Sequence, residues 1–114
     1  MKIILLIVLL VIAPFIFTFV NPALADGTSE GAKIFSAKCA SCHIGGGNVL
    51  IAEKTLKKDA LSKYLENYDA NSIQAILYQV QNGKNAMPAF KDKLTNKEIL
   101  EVTAYVFQKA EEGW

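Results

Sequence analysis

The 114-residue chain has no arginine, a single histidine, a single tryptophan and two cysteines, and its 12 basic residues, all lysine, stand against 11 acidic ones. So even a balance argues against a nucleic-acid binder, which gathers a basic excess on one face. The length fits one small domain and excludes a multidomain enzyme. Strand-like alternation is missing, so the βαβ setting of a thioredoxin-like redox pair is not indicated. The Gly45-Gly46-Gly47 run lacks the Lys and Ser/Thr that complete a phosphate-cradling loop. With one histidine and no carboxylate pair placed for acid–base work, the sequence carries no catalytic constellation.

What the chain does have is one long apolar run. Lys2 is followed from Ile3 to Val20 by residues that are apolar except for Pro14 and Thr18, and then by Asn21-Pro22-Ala23-Leu24-Ala25. A positive start, an apolar stretch and small residues at Ala23 and Ala25 are the parts of an export signal, with the cut expected after Ala25. The alternative is an uncleaved anchor, because the run reaches the lower edge of lengths that span a bilayer. Removing residues 1–25 takes away Lys2 and no acid, leaving residues 26–114 formally neutral and ordinary in hydrophobic content. Met87, His43 and Pro88 are then each the sole residue of their type. Export also places the two cysteines outside the reducing cytosol.

Those cysteines occur as Cys39-Ala40-Ser41-Cys42-His43, the attachment pattern of c-type haem. Two intervening residues let a turn of helix present both thiols to one porphyrin edge, where they can add to two vinyl groups, while His43 places its imidazole under the iron. Zinc is one rival, but two Cys and one His leave a structural site short of a fourth ligand unless a carboxylate completes it. A plain disulfide is another, and it leaves His43 unexplained. The expected cofactor is one haem c per chain, covalently bound through Cys39 and Cys42.

The iron's sixth position separates carrier from enzyme. No second histidine exists, and Met87 lies in Gly83-Lys84-Asn85-Ala86-Met87-Pro88-Ala89-Phe90, a loop punctuated by Gly and Pro. Such a loop can bring the thioether over the haem; the plain alternative is core filler. His43/Met87 ligation closes both axial positions to substrates, favours outer-sphere electron transfer and raises the potential.

The rest reads as an all-α scaffold. Residues 29–39 form a first helix capped by Thr28 or Ser29, burying Ala32, Ile34 and Phe35, with Gly31 able to admit a close helix crossing. Residues 44–55 are read as a loop around the porphyrin. A short helix over 56–66 places Leu56, Ala60, Leu61, Tyr64 and Leu65 on one face, with Lys57, Lys58, Lys63 and Glu66 mostly opposite. Asn71-Ser72 starts another, striped by Ile73, Ile76, Leu77 and Val80 and stopped by Gly83. Thr95 and Glu98 form a capping-box pattern for a last helix to about Glu111. Its Ile99, Val102, Tyr105 and Val106 pack on the first helix, Tyr105 near Phe35. Trp114 either covers the end or is exposed. Because so short a chain builds a small core, its haem-free form is expected to be poorly folded.

Beyond the haem signature, Lys54-Thr55-Leu56-Lys57-Lys58, the stretch from Tyr78-Gln79-Val80-Gln81-Asn82 through Met87-Pro88-Ala89-Phe90, and Gly113-Trp114 give residues 26–114 a pattern that resembles the cytochrome c6 family. The resemblance implies a small cytochrome c fold, about four helices wrapped around one haem. It implies a soluble, monomeric electron carrier of the thylakoid lumen, with a periplasmic pool in some settings. The donor would be the cytochrome b6f complex and the acceptor photosystem I, through transient docking, with a terminal oxidase as a further acceptor. Carried over residue by residue, it makes Cys39 and Cys42 the haem attachments, His43 and Met87 the iron ligands, and Gln79 a haem-side polar neighbour that tunes the potential; Gln79 could equally be a surface residue. Phe90-Lys91-Asp92-Lys93-Leu94 lacks the Gly-Gly-Arg of many relatives, which leaves Lys93 as the candidate docking cation, without the bidentate fork of Arg. Two ionised propionates would take the polypeptide to about −2 and weaken global steering. The alternatives are a membrane-tethered or respiratory c-type cytochrome and, more remotely, a peroxidase-like enzyme with an open iron site.

Overall fold

The computed structural model describes the backbone of residues 22–114 and the side chains of 29–114. The apolar run of the expected export signal lies outside the described residues. Five α-helices are present among those described: α1 (Pro22–Lys38), α2 (Ala40–His43), α3 (Lys58–Tyr64), α4 (Ser72–Asn82) and α5 (Asn96–Glu112), with a 3-10 turn at Ile44–Gly46 after α2. None is long and apolar enough to cross a membrane.

Helix α1 starts earlier than expected. Pro22 suits a first helical turn, and Ala23-Leu24-Ala25 are strong helix formers, so in the uncut chain Thr28 and Ser29 are interior positions and not caps. The expected cut after Ala25 therefore falls inside α1. Downstream, α1 crosses α5 closely at Gly31, where a Cβ would run into the Glu101 carbonyl and stand 2.7 Å from the Tyr105 Cβ. Phe35 meets Tyr105 with ring centroids 5.4 Å apart, as the sequence suggests. The α5 stripe of Ile99, Val102 and Val106 is buried.

The start of α5 is held as predicted: the Glu98 N–H donates to Thr95 Oγ1 at 3.1 Å, and the Thr95 N–H donates to Glu98 Oε1 at 2.9 Å. Helix α4 is capped by Asn71, whose Oδ1 accepts the Gln74 N–H, and stopped by Gly83 at φ 65°. Its buried face is rotated from the predicted stripe. Ala75, Ile76 and Val80 are buried while Ile73 is 37 % exposed, because α4 packs on α5 and on the chain returning through Phe90, whose N–H donates to the Val80 carbonyl at 3.0 Å. Helix α3 is shorter than its apolar spacing implied. Ala60 and Leu61 are buried but Tyr64 is 39 % exposed, with Lys63 and Lys54 ammoniums at its ring face. Tyr68 and Phe90 complete the core.

Candidate cofactor site

The turn of helix anticipated for the cysteine pair is α2. Cys39 breaks the chain between α1 and α2, with its N–H on the Phe35 carbonyl (2.9 Å) and its carbonyl accepting the His43 N–H (3.0 Å). Cys39 and Cys42 are not joined to each other by a disulfide. Burial, and then the neighbouring Cys42, push the Cys39 thiol up to about 11. Among the described residues no group of three or more His, Cys, Asp or Glu is gathered as a metal site.

His43 Nδ1 lies 2.9 Å from the Gly47 carbonyl. A carbonyl only accepts, so Nδ1 carries the proton and donates, and Nε2 keeps its lone pair for a metal. Gly47 is positioned by its own N–H on the Ile44 carbonyl at 3.0 Å. The turn that makes this possible needs left-handed backbone at Gly45 (φ 60°) and Gly46 (φ 78°), which only glycine adopts cheaply. The sequence reading treated this glycine run as part of a loop and missed its role as the partner of His43. The signal was present: three glycines directly behind an Ile that follows the histidine.

Met87 sits in the loop foreseen for it. Lys84 and Met87 exchange backbone hydrogen bonds (3.1 and 2.9 Å), Asn85 takes φ 53° at the tip, and Gly83 is packed where a Cβ would meet the Met87 carbonyl. Gln79, on α4, donates its Nε2–H to Met87 Sδ at 3.8 Å. This half-buried side chain addresses the sulfur and lines the cavity.

Cys39, Cys42, His43, Gln79 and Met87 all line one cavity of about 840 Å³, walled otherwise by core side chains such as Phe35, Leu61 and Ile76. That volume lies high in the range of roughly 300–1,000 Å³ in which cofactors and drug-sized ligands are held. The donor set fits a haem: two thiols on one helical turn, an imidazole whose tautomer is fixed, and a thioether fixed by a hydrogen-bonded loop. Lys93 is exposed, its ammonium 5.7 Å from the centroid of the Phe90 ring, and Phe90 lines the cavity.

A family model described as "Cytochrome C oxidase, cbb3-type, subunit III" matches residues 26–106. A cytochrome c6 of Nostoc sp. strain PCC 7120 is 55% identical over 114 residues, covering 100% of this chain and 99% of the relative. A cytochrome c6 of Parathermosynechococcus lividus is 57% identical over 86 residues, 75% of this chain and 94% of the relative. Among solved structures, cytochrome c6 of the diatom Phaeodactylum tricornutum superposes with a TM-score of 0.71 at 49% identity, covering 76% of this chain and 98% of that one.

Proposed function

The chain belongs to the cytochrome c6 family, and on that premise we propose that it is a soluble one-electron carrier from the cytochrome b6f complex to photosystem I in the thylakoid lumen. The observation that carries this reading is the convergence of the Cys39/Cys42/His43 turn and the Met87 loop on one cavity. Bound there, haem supplies a one-electron Fe(III)/Fe(II) couple whose potential is raised by thioether ligation.

The chain's own residues do the rest. Cys39 and Cys42 would hold the porphyrin by adding each S–H across a vinyl group, an addition that loses no atom and needs no oxidant. His43 Nε2 and Met87 Sδ would be the protein's ligands to the iron of a bound haem, and with both in place oxygen, peroxide and other ligands would be kept off the metal, which suits electron exchange. The Gly47 carbonyl and the Gln79 amide fix the two ligand side chains. With both ligands held, little rearrangement accompanies electron transfer. Cleavage after Ala25 would release residues 26–114, a boundary supported by the start of the family match at residue 26. A terminal oxidase is the second acceptor of this reading.

Oxidised and reduced spectra of the purified protein test the core of the proposal: c-type haem bands together with the weak near-infrared sulfur-to-iron band are expected. Haem without the near-infrared band would remove Met87 from the iron. No haem after expression in a maturation-competent host would overturn the reading entirely. Flash-induced reduction of photosystem I by the carrier, compared with oxidase turnover, separates the two acceptors, and the intact mass reports the cut.

A further inference from the structure

We propose that Trp114 is a positioning residue for the His43 imidazole, acting through the glycine turn at residues 45–47; the inference rests on the reading above that His43 ligates haem iron. Trp114 follows α5 but is tied to a distant part of the chain. Its indole lies on Gly46 so closely that a Cβ at that position would stand inside the ring. Its Nε1–H donates to the Leu56 carbonyl at 2.8 Å, and the Leu56 N–H donates to the Gly46 carbonyl at 2.7 Å. Gly46, Leu56 and Trp114 therefore form a closed clasp. Its other side is anchored by rings: Phe35 lies 5.2 Å and Tyr105 6.0 Å from the Trp114 ring, centroid to centroid, which couples the clasp to the α1–α5 crossing.

The residue next to the clasped glycine is Gly47, whose carbonyl accepts the His43 Nδ1–H. Gly45 and Gly46 both have left-handed backbone, and nothing lies within 4 Å of where a Gly45 Cβ would stand. A turn of consecutive glycines is entropically costly to hold in one conformation. The indole over Gly46 is the bulky side chain that immobilises it. A hydrogen bond at the non-ligating ring nitrogen fixes the orientation of an imidazole and raises its basicity as a ligand. A slack turn would thus weaken electron donation to the iron, which destabilises Fe(III) relative to Fe(II) and raises the potential.

The test uses the haem-loaded protein and three variants: Trp114→Ala, Trp114→Phe and, as a packing control, Ile99→Val. Ile99 is fully buried in α5 and does not line the cavity. Two readouts are followed, the solvent exchange of the His43 Nδ1–H by NMR in the reduced protein and the midpoint potential by redox titration. Trp114→Ala is expected to speed that exchange about tenfold, the loss of roughly one hydrogen bond's protection, and to raise the potential. Trp114→Phe keeps a ring over Gly46 and gives a smaller change in the same directions. Ile99→Val lowers the unfolding midpoint and leaves both readouts unchanged. If the Trp114 variants match Ile99→Val in exchange and potential, Trp114 is packing alone and the inference is overturned. Should Trp114→Ala fail to hold haem, Trp114→Phe against Ile99→Val decides in the same way. A wild-type protein without haem bands would overturn the functional reading and this inference with it, whereas normal wild-type bands with an indifferent Trp114 overturn this inference only.

Discussion

Replacing Gln79 with Val removes the amide that donates to the Met87 sulfur at 3.8 Å and leaves the α4 backbone unchanged. The donated N–H draws electron density from a thioether that would otherwise stabilise Fe(III), so the wild-type amide favours the reduced state. A neutral hydrogen bond contributes about 0.5–1.5 kcal/mol net, and a thioether is a weak acceptor, which puts the difference between oxidation states at about 0.5–1 kcal/mol. For a one-electron couple, about 59 mV corresponds to a tenfold change in equilibrium, or about 1.4 kcal/mol, so the midpoint potential should fall by about 20–40 mV. A valine also makes the pocket less polar, which disfavours the charged oxidised iron and works in the opposite direction. Gln79 is only half-buried, so that opposing effect is the smaller one. Redox titration of the two proteins in the same buffer measures the shift. An unchanged or higher potential in Gln79→Val would refute the argument.

Four further outcomes are expected. Met87→Ala should abolish the near-infrared sulfur-to-iron band and let the reduced protein bind carbon monoxide; an intact band would mean that the sulfur on iron is not that of Met87. Thr95→Ala should destabilise the fold by about 1 kcal/mol in urea titration. Its partner Glu98 adds a pH dependence: hydrogen bonds from the Thr95 backbone and side chain hold the Glu98 carboxyl below the usual carboxylate range, so the stabilisation is complete above that range and is lost as pH falls through the depressed value. Glu98→Gln should flatten the acid limb of the stability curve, and an unchanged limb would assign it to other carboxylates. Lys93→Gln should slow reduction of photosystem I and weaken its salt dependence, since screening acts on exposed charges; identical rates and salt slopes would remove Lys93 from docking.

Features set by neighbours in sequence were legible before the structure. The capping box at Thr95 and Glu98, the glycine stop at Gly83, the helical turn of the cysteine motif and the methionine loop all depend on contacts a few residues apart. The face of α4 was not, because which of Ile73 and Ala75 is buried depends on how α4 lies against α5 and on the returning segment at Phe90, neither of which has a local signature. The early start of α1 was missed for a related reason: Thr28 and Ser29 look like caps, but the preceding Pro22-Ala23-Leu24-Ala25 already favours helix. In the site, His43 and Met87 could be singled out by scarcity alone. The hydrogen-bond partners of those side chains could not, since Gly47 acts through a backbone carbonyl, and Gln79 reaches Met87 only because α4 and its following loop fold back on each other.

The core and the cofactor cavity share residues, and this settles how fold and function are coupled. Phe35, Leu61, Ile76, Val80, Phe90 and Val106 are buried core side chains and also line the cavity. Those six are only 4–7 % exposed, whereas Leu50, Ile51 and Tyr64, which also line the cavity, are 65, 40 and 39 % exposed; a bound haem would cover part of that apolar surface, and each 100 Å² covered contributes about 2.5 kcal/mol. Ile99 and Thr103 are fully buried without lining the cavity. The α1–α5 crossing and the cavity share Phe35, which meets Tyr105 at the crossing and lines the cavity. The clasp of Trp114 joins the two, running from Phe35 and Tyr105 at the crossing to the glycine turn behind His43. Strain or loosening at the crossing should then reach the iron through His43 before it reaches Met87, which is held from α4 and its own loop.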